Sequence, residues 1–215
     1  MRKFIIMGIQ GSGKGTQAKL LSADLELEHI SVGDIFRWNV QHHTKLGAQV
    51  KRTINAGRLV EDDLVEAVVR DRLAEHDWNF GFIIDGFPRT ARQAEFFLER
   101  YDIDGVINLE MPDEEVAHRI EARRLCSKCG LDYDRIAHHP AGPDVCDVCG
   151  GEMVVREDDN PKALAIRLAD YHQQTKPLIE LFDKKEFVAT FDATRPIDEV
   201  QAAIRQKFSL PPRAA

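Results

Sequence analysis

All four cysteines of the chain lie within one segment, as two pairs in which two residues separate the cysteines. The pairs are Cys126 with Cys129 and Cys146 with Cys149. Two such pairs supply the four thiolates of a tetrahedral zinc site, whose full ligand shell leaves no open position for chemistry. We therefore predict a structural Zn²⁺ site, with Fe²⁺ and Co²⁺ as alternatives for the same ligands. Disulfides and buried free thiols are the competing interpretations; the reducing cytosol disfavours the first, and the repeated spacing disfavours the second.

A glycine-rich segment, GIQGSGKGT, follows the first apolar run and spans Gly8 to Thr16. Its glycines let consecutive backbone N–H groups turn toward one phosphate, and the following helix adds the positive end of its dipole. Lys14 occupies the position of the lysine that reaches the β- and γ-phosphates of a nucleotide. The hydroxyl that usually follows this lysine comes one residue later, at Thr16, after Gly15. A strand, this spacing and a lysine together favour a phosphate-binding loop over an ordinary glycine-rich turn.

Charged side chains elsewhere fit the chemistry of phosphoryl transfer. Asp85 ends an apolar run, at the sheet edge where ligands bind, and a carboxylate there holds Mg²⁺ through water. The transition state of phosphoryl transfer spreads charge and needs several fixed cations, a role that guanidinium groups suit. The candidate arginines are Arg89, Arg119, Arg123, Arg156 and Arg167. Arg119 and Arg123 are four residues apart, so we expect them on one face of a helix.

The spacing of apolar residues predicts the elements that position these groups. Short apolar runs at 4–8, 81–86, 105–111 and 186–192 indicate strands buried on both faces, as in a parallel sheet. Helical patterns cover 61–76, 112–124 and 159–182, and Asp159 or Asn160 is expected to cap the last of these. Strands that alternate with helices predict an α/β fold around a parallel sheet. The cysteine segment interrupts this rhythm and is interpreted as an insertion.

Composition excludes several classes of protein. The 215-residue chain has a net charge of −7, which argues against a nucleic-acid partner. No apolar stretch reaches the roughly 18 residues that cross a membrane, and the amino-terminal apolar run is too short for a secretory signal. We expect a cytoplasmic monomer with neither a nucleic-acid nor a membrane partner, and disorder over the tail 209–215.

Over essentially its whole length, the chain resembles the adenylate kinases of the bacterial type with a long lid. The matching segments are GSGKGTQA (11–18), ISVGDIFR (30–37), AGRLVEDDLV (56–65), GFIIDGFPRTARQA (81–94), RIEARR (119–124) and VREDDN (155–160). The resemblance implies the P-loop nucleoside monophosphate kinase fold and the reversible, Mg²⁺-dependent reaction of ATP with AMP to give two ADP. It also implies a core of residues 1–30, 61–121 and 160–215, an AMP-binding flap of 31–60 and a metal-binding lid of 122–159.

The resemblance implies roles for individual residues. The implied ATP-binding residues are Gly11, Ser12, Gly13, Lys14, Gly15, Thr16, Arg119, Arg123, Asp132, Tyr133 and Arg195. The implied AMP-binding residues are Val32, Arg37, Arg58, Leu59, Val60, Gly86, Phe87, Pro88, Arg89, Gln93, Arg156 and Arg167. The implied catalytic cations are Lys14, Arg89, Arg123, Arg156 and Arg167, with Asp85 holding Mg²⁺ through water.

Two residues depart from the family pattern: Val32 replaces a usual threonine, and Ala193 replaces a common glycine. The first leaves open a nucleoside monophosphate kinase with relaxed choice among CMP, UMP and GMP. A more remote alternative is an ATPase with a nucleic-acid-binding zinc ribbon. Between Cys126 and Cys149 two basic and four acidic side chains leave a net charge of −2, which argues against that ribbon.

Overall fold

The computed structural model describes residues 2–134, 142, 144–185 and 188–212. Its strands are β1 (Lys3–Gly8), β2 (Glu28–Ser31), β3 (Phe82–Asp85), β4 (Gly105–Glu110), β5 (Arg123–Cys126), β6 (Asp132–Asp134), β7 (Met153–Val154) and β8 (Val188–Asp192). Its α-helices are α1 (Lys14–Leu25), α2 (Val32–Gln41), α3 (Lys45–Asn55), α4 (Asp62–Ala74), α5 (Ala91–Leu98), α6 (Asp113–Ala122), α7 (Pro161–Asp170), α8 (Lys176–Lys185) and α9 (Ile197–Lys207). A π-helical turn, Tyr171–Thr175, joins α7 to α8, and a 3-10 turn spans Trp78–Phe80.

Five parallel strands form the central sheet in the order β2-β3-β1-β4-β8. Side chains of β1 alternate between two hydrophobic clusters, one on each face of the sheet. Ile5 packs in the cluster that includes residues of α2, α4, α5 and α8, whereas Ile6 packs in the cluster that includes residues of α1 and α9. Burial on both faces explains the continuous apolar runs. The predicted α/β fold with a parallel sheet is confirmed, and the carboxyl ends of all five strands meet at one edge.

Three local predictions need correction. The sequence did not predict β2, since its segment EHIS is short and Ile30 is its single apolar residue. Helix α6 ends at Ala122 and Arg123 opens β5 with extended backbone, so Arg119 and Arg123 do not share a helix. The helix predicted over 159–182 contains the π-helical turn. Its cap is as predicted, because Asn160 accepts a hydrogen bond from the N–H of Ala163 and Pro161 is the first helical residue. Residues 186 and 187 of the last predicted strand lie outside the described residues.

A second, small antiparallel sheet lies between α6 and α7 in the chain, with the order β6-β5-β7. Its buried cluster consists of Cys126, Tyr133, Cys146 and Met153. So few apolar side chains supply little hydrophobic stabilisation, which leaves a role for cross-linking by a metal.

The predicted disorder of the tail does not hold for residues 209–212. Leu210 packs against the core, and its N–H donates to the carbonyl of Arg205 at 2.9 Å. Arg205 in turn donates from Nη1 to the carbonyl of Pro211 at 2.5 Å. Residues 213–215 lie outside the described residues. Among the described helices, none has the length and apolar character needed to cross a lipid bilayer.

Candidate active site

The glycine-rich loop connects β1 to α1 at the carboxyl edge of the central sheet. A side chain at Gly8 is excluded, because a Cβ there would lie 2.2 Å from the carbonyl oxygen of Leu109. Gly13 precedes α1 with φ of 83°, a left-handed conformation that glycine adopts without strain, and no side chain caps the helix. The first N–H groups of α1 are therefore free of a side-chain cap and suited to an anionic group.

Lys14 is the first residue of α1, and its ammonium group donates to the carbonyl of Ile9 at 2.7 Å. Burial lowers the pKa of Lys14 to about 8. The charge of Asp85 opposes this shift, while the charges of Arg89 and Arg123 add to it. Several cations lie close to a buried lysine, so a bound anion would stabilise them strongly.

A cavity of about 880 Å³ opens between this loop and the elements around it. Every residue predicted to bind ATP, AMP or Mg²⁺ lines this cavity, from Gly11 in the loop to Arg195 before α9. The structure therefore brings the predicted set together, although positions within it are 184 residues apart in the chain (195 minus 11). What each residue binds stays a prediction.

Two acidic residues organise the arginines at the entrance to α7. Arg156 donates to Asp158 through Nε at 3.0 Å and through Nη2 at 2.6 Å, and Arg167 also donates to Asp158. Arg123 donates from Nε to Asp159 at 2.7 Å. Burial opposes ionisation of Asp158, but Arg156 and Arg167 outweigh it and hold the pKa of this carboxyl far below its usual value. The carboxylates thus keep three guanidinium groups together beside one cavity.

Arg89 follows β3 and lies at the other side of the cluster. Its Nε donates to the carbonyl of Gly86 at 2.9 Å, and its own carbonyl accepts from the hydroxyl of Thr175 at 3.1 Å. Burial and the charge of Arg167 lower the pKa of Arg89 to about 10, against the opposing effect of Asp85. The π-helical turn therefore contributes one contact to the site, through Thr175.

The remaining predicted residues are held in several ways. Arg119 donates from Nη2 to the carbonyl of Ala193 at 2.7 Å, and Arg37 pairs with Asp34. Val32 is buried, 4% exposed, and packs in a hydrophobic cluster as it lines the cavity. Tyr133 also lines the cavity, but its hydroxyl lies 3.5 Å from the sulfur of Cys146 and accepts from the N–H of Asp147. The side chain of Tyr133 therefore supports the cysteine cluster as well.

The four cysteines are free thiols, and their sulfur atoms lie within 4.8 Å of one another. Cys126 and Cys149 are 3.4 Å apart between sulfurs, and Cys129 and Cys146 are 3.6 Å apart. A tetrahedral site with metal–sulfur bonds of about 2.3 Å needs sulfurs about 3.8 Å apart. The two cysteine pairs form matching turns. The N–H of Gly130 donates to the Cys126 carbonyl at 3.0 Å, and the N–H of Gly150 donates to the Cys146 carbonyl at 2.9 Å. The donor set fits a four-coordinate metal.

Sequence reasoning missed four residues that position side chains of the site. Asp62 accepts a hydrogen bond from Gln93 Nε2 at 2.7 Å. The other three are Asp158, Asp159 and Thr175, whose contacts are described above. Asp158 and Asp159 lie in the segment VREDDN (155–160), two and three residues after Arg156, and this short spacing could have predicted their pairing with an arginine. Asp62 and Thr175 carry no comparable signal, because their partners are 31 and 86 residues away.

The fold and the site define a P-loop phosphotransferase that acts on nucleotides, because a parallel sheet carries a glycine-rich phosphate loop with a buried lysine and a converging set of arginines.

A family model with the description "Adenylate kinase" matches residues 6–187 of the chain. An adenylate kinase of Acetivibrio thermocellus is 40% identical over 212 residues, covering 96% of this chain and 98% of that protein. An adenylate kinase of Caldicellulosiruptor bescii is 45% identical over 188 residues, covering 85% and 87%. One of Methanocella arvoryzae is 42% identical over 208 residues, covering 94% and 96%. The chain belongs to the adenylate kinase family.

Proposed function

We propose that this chain catalyses the reversible transfer of the terminal phosphoryl group of ATP to AMP, and that the residues lining the cavity hold both nucleotides. One observation carries the proposal: a single cavity is lined by the glycine-rich loop and by a second set of cationic groups around Arg89. Membership of the adenylate kinase family supports this reaction.

On the donor side, residues 11–16 and the amino terminus of α1 bind the phosphates of ATP. Lys14 neutralises the β- and γ-phosphates, and Arg119, Asp132, Tyr133 and Arg195 form the surroundings of the nucleoside. Support comes from their common position in the cavity wall and from the amino terminus of α1, which no side chain caps.

On the acceptor side, Arg37 and Arg89 bind the phosphate of AMP, and Gln93 contacts its base. Val32, Leu59, Val60, Gly86, Phe87 and Pro88 complete this pocket together with Arg58. The loop that carries Arg58 joins α3 to α4 and faces the same cavity as Arg89.

In the transfer, a phosphate oxygen of AMP attacks the γ-phosphorus of ATP, and the bond from that phosphorus to the β,γ-bridging oxygen breaks. The electron pair of the broken bond leaves with ADP, so no side chain needs to act as a nucleophile. Lys14, Arg123, Arg156 and Arg167 stabilise the charge that develops on the transferring group and the leaving oxygen. Mg²⁺, held through water by Asp85, would neutralise phosphate charge in the same place.

Transfer to AMP rather than to water requires a closed site. We assign closure to residues 31–60 and 122–159, around a core of residues 1–30, 61–121 and 160–215. Hydrogen bonds between described residues join the two closing parts: Gln41 Nε2 donates to the Ser127 carbonyl at 3.0 Å, and Asn55 Nδ2 donates to Glu157 Oε2 at 2.8 Å. The metal held by the four cysteines would stabilise residues 122–159 as a rigid unit, with Zn²⁺ as the proposed ion.

We further propose a cytoplasmic location, because the reducing cytosol keeps cysteines such as these four in the thiol form. The monomeric state and the lack of a nucleic-acid partner stay predictions.

A coupled assay of ADP formation tests the proposal, with ATP as donor and AMP, CMP, UMP or GMP as acceptor. We expect the highest kcat/KM with AMP, two ADP per AMP consumed, and dependence on added Mg²⁺. Absence of AMP-dependent ADP formation would overturn the proposed reaction. A preference for CMP or UMP would instead favour a kinase with a pyrimidine acceptor. Metal analysis of the same preparation should find one zinc per chain.

A further inference from the structure

The side-chain amide of Gln93 is fixed at both ends. Gln93 is 2% exposed and lies in the wall of the cavity. Its Nε2 donates to Asp62 Oδ1 at 2.7 Å, and its Oε1 accepts from the backbone N–H of Arg89 at 2.8 Å. Each partner has only one polarity, because a carboxylate accepts hydrogen bonds and a backbone N–H donates them.

Rotation of this amide by half a turn is therefore unfavourable. The reversed amide would place an oxygen against the carboxylate of Asp62 and an N–H group against the N–H of Arg89. Both contacts would be repulsive in a buried place, where unsatisfied polar groups cost most. Asp62 and the Arg89 backbone thus select one of two orientations that are otherwise of nearly equal shape.

The carboxylate of Asp62 is itself held in place. Asp62 is the first residue of α4, and the hydroxyl of Thr90 donates to the same Oδ1 atom at 3.0 Å. Thr90 also caps α5, where its Oγ1 accepts from the N–H of Gln93 at 3.2 Å. The first turns of α4 and α5 are thereby joined around one carboxylate oxygen.

The fixed amide retains one N–H and one oxygen lone pair for a ligand. Adenine offers an acceptor at N1 beside a donor at the 6-amino group, which matches this pair. A 6-oxopurine such as hypoxanthine offers the opposite polarity, a donor at N1 beside an acceptor at O6. An amide free to rotate would accept either base, whereas the fixed amide accepts only the first.

We propose that Asp62 is a specificity-determining positioning residue, which excludes 6-oxopurine nucleotides from the acceptor site by preventing rotation of the Gln93 amide. The inference rests on the proposed function, in which the base of the acceptor lies against Gln93.

The test compares AMP with IMP in the wild type and in Asp62→Asn. An asparagine accepts through its oxygen or donates through its nitrogen, so it removes the repulsion at one end of the reversed Gln93 amide, while the N–H of Arg89 still opposes that orientation at the other end. We expect the ratio of kcat/KM for AMP to that for IMP to fall about 10-fold, mostly through a gain with IMP. The ratio of the two dissociation constants, measured by titration without ATP, should fall in the same proportion.

Asp63→Asn is the matched control. It makes the same change of charge one residue later in the same helix turn, at a side chain that is 79% exposed and pairs with Arg92. We expect the ratio of kcat/KM for AMP to that for IMP to be the same in Asp63→Asn as in the wild type. The ratio compares two substrates on one preparation, so partial unfolding of a variant does not alter it. Asp62→Ala is a second variant, and we expect it to lower the ratio as well.

Three outcomes bear on the inference. A lower ratio in both Asp62 variants but not in Asp63→Asn supports it. An equal loss with AMP and IMP in the Asp62 variants overturns it, because Asp62 would then only support the local structure. If the wild type forms no ADP from AMP, the proposed function is refuted instead. This outcome is distinguishable from failure of the inference about Asp62, because it is seen in the wild type alone.

Discussion

Asp158 accepts hydrogen bonds from two nitrogens of Arg156, at 3.0 Å from Nε and at 2.6 Å from Nη2. Both side chains are almost fully buried, with 8% of Arg156 and 5% of Asp158 exposed. Arg167 contacts the same carboxylate. The two cations are therefore stabilised in one place before any nucleotide arrives.

We predict that Asp158→Asn destabilises the protein and impairs transfer. Removal of one partner from a buried ion pair costs about 3 kcal/mol, which corresponds to a melting temperature lower by about 6–12 °C for a chain of this size. Differential scanning calorimetry measures this change, and Glu180→Gln, at an exposed position of α8, should melt like the wild type.

The pH dependence of this loss of stability tests whether the charge of Asp158 is its cause. Because the pKa of Asp158 is lowered by folding, its stabilisation is complete above the unfolded value of about 3.9 and is lost at lower pH. The difference in stability between wild type and Asp158→Asn should therefore shrink below pH 4. A difference that stays constant down to pH 2 would contradict this account.

Lys14→Met should remove activity without removing the fold. Loss of a cation from the transferring phosphoryl group is expected to lower kcat by at least ~10³-fold. The variant should be as stable as the wild type at pH 7, because burial disfavours the charge of Lys14. A variant that retains a tenth of the wild-type rate would refute the assignment of the phosphate loop.

A third prediction follows from the pKa of Lys14, which is about 8 in the free protein. A bound polyphosphate favours the ammonium form and raises this pKa, so ATP binding near pH 8 should take up a fraction of a proton. Protonation of ATP itself does not contribute, since the last ionisation of a phosphate group lies near pH 6. Calorimetric titrations in two buffers of different ionisation enthalpy measure the uptake. Equal uptake in Lys14→Met would show that another group takes up the proton.

Metal removal should affect stability more than chemistry. The cysteine cluster holds a small sheet with few buried apolar residues, whereas the central sheet has two clusters of its own. Chelation or Cys129→Ser is therefore expected to lower the melting temperature and to loosen residues 122–159, with activity retained at low temperature. Ser127→Ala, inside the first cysteine pair, should melt like the wild type. Identical melting of metal-free and metal-loaded protein would exclude a structural role for the metal.

Some of this site follows from local sequence, and some of it does not. The phosphate loop and the cysteine pairs are predictable because their chemistry depends on residue types at fixed short spacing. The helix cap at Asn160 is predictable for the same reason. The pairing of Gln93 with Asp62 is not, because it depends on how α4 and α5 pack against each other. The end of α6 at Ala122 is not predictable either, since arginine is a good helix former and the extended backbone of Arg123 and Arg124 depends on their pairing with β6.

The last prediction concerns Val32, where the chain departs from the threonine common in its family. Val32 opens α2, is 4% exposed and lines the cavity, on the side that we propose for the acceptor. A threonine has nearly the same shape and adds a hydroxyl, which we expect to hydrogen-bond to the base of a bound acceptor. One neutral hydrogen bond contributes about 0.5–1.5 kcal/mol, which is about 2- to 12-fold in affinity.

We therefore expect Val32→Thr to raise the preference for AMP over CMP and UMP by a factor in this range. The measurement is kcat/KM for the three acceptors in both proteins, and Val32→Ala serves as the control that changes size without adding a hydroxyl. Gln93 is unchanged in the wild type and in both Val32 variants, so AMP should be the preferred acceptor in all three proteins. An unchanged preference in Val32→Thr would contradict this account of position 32.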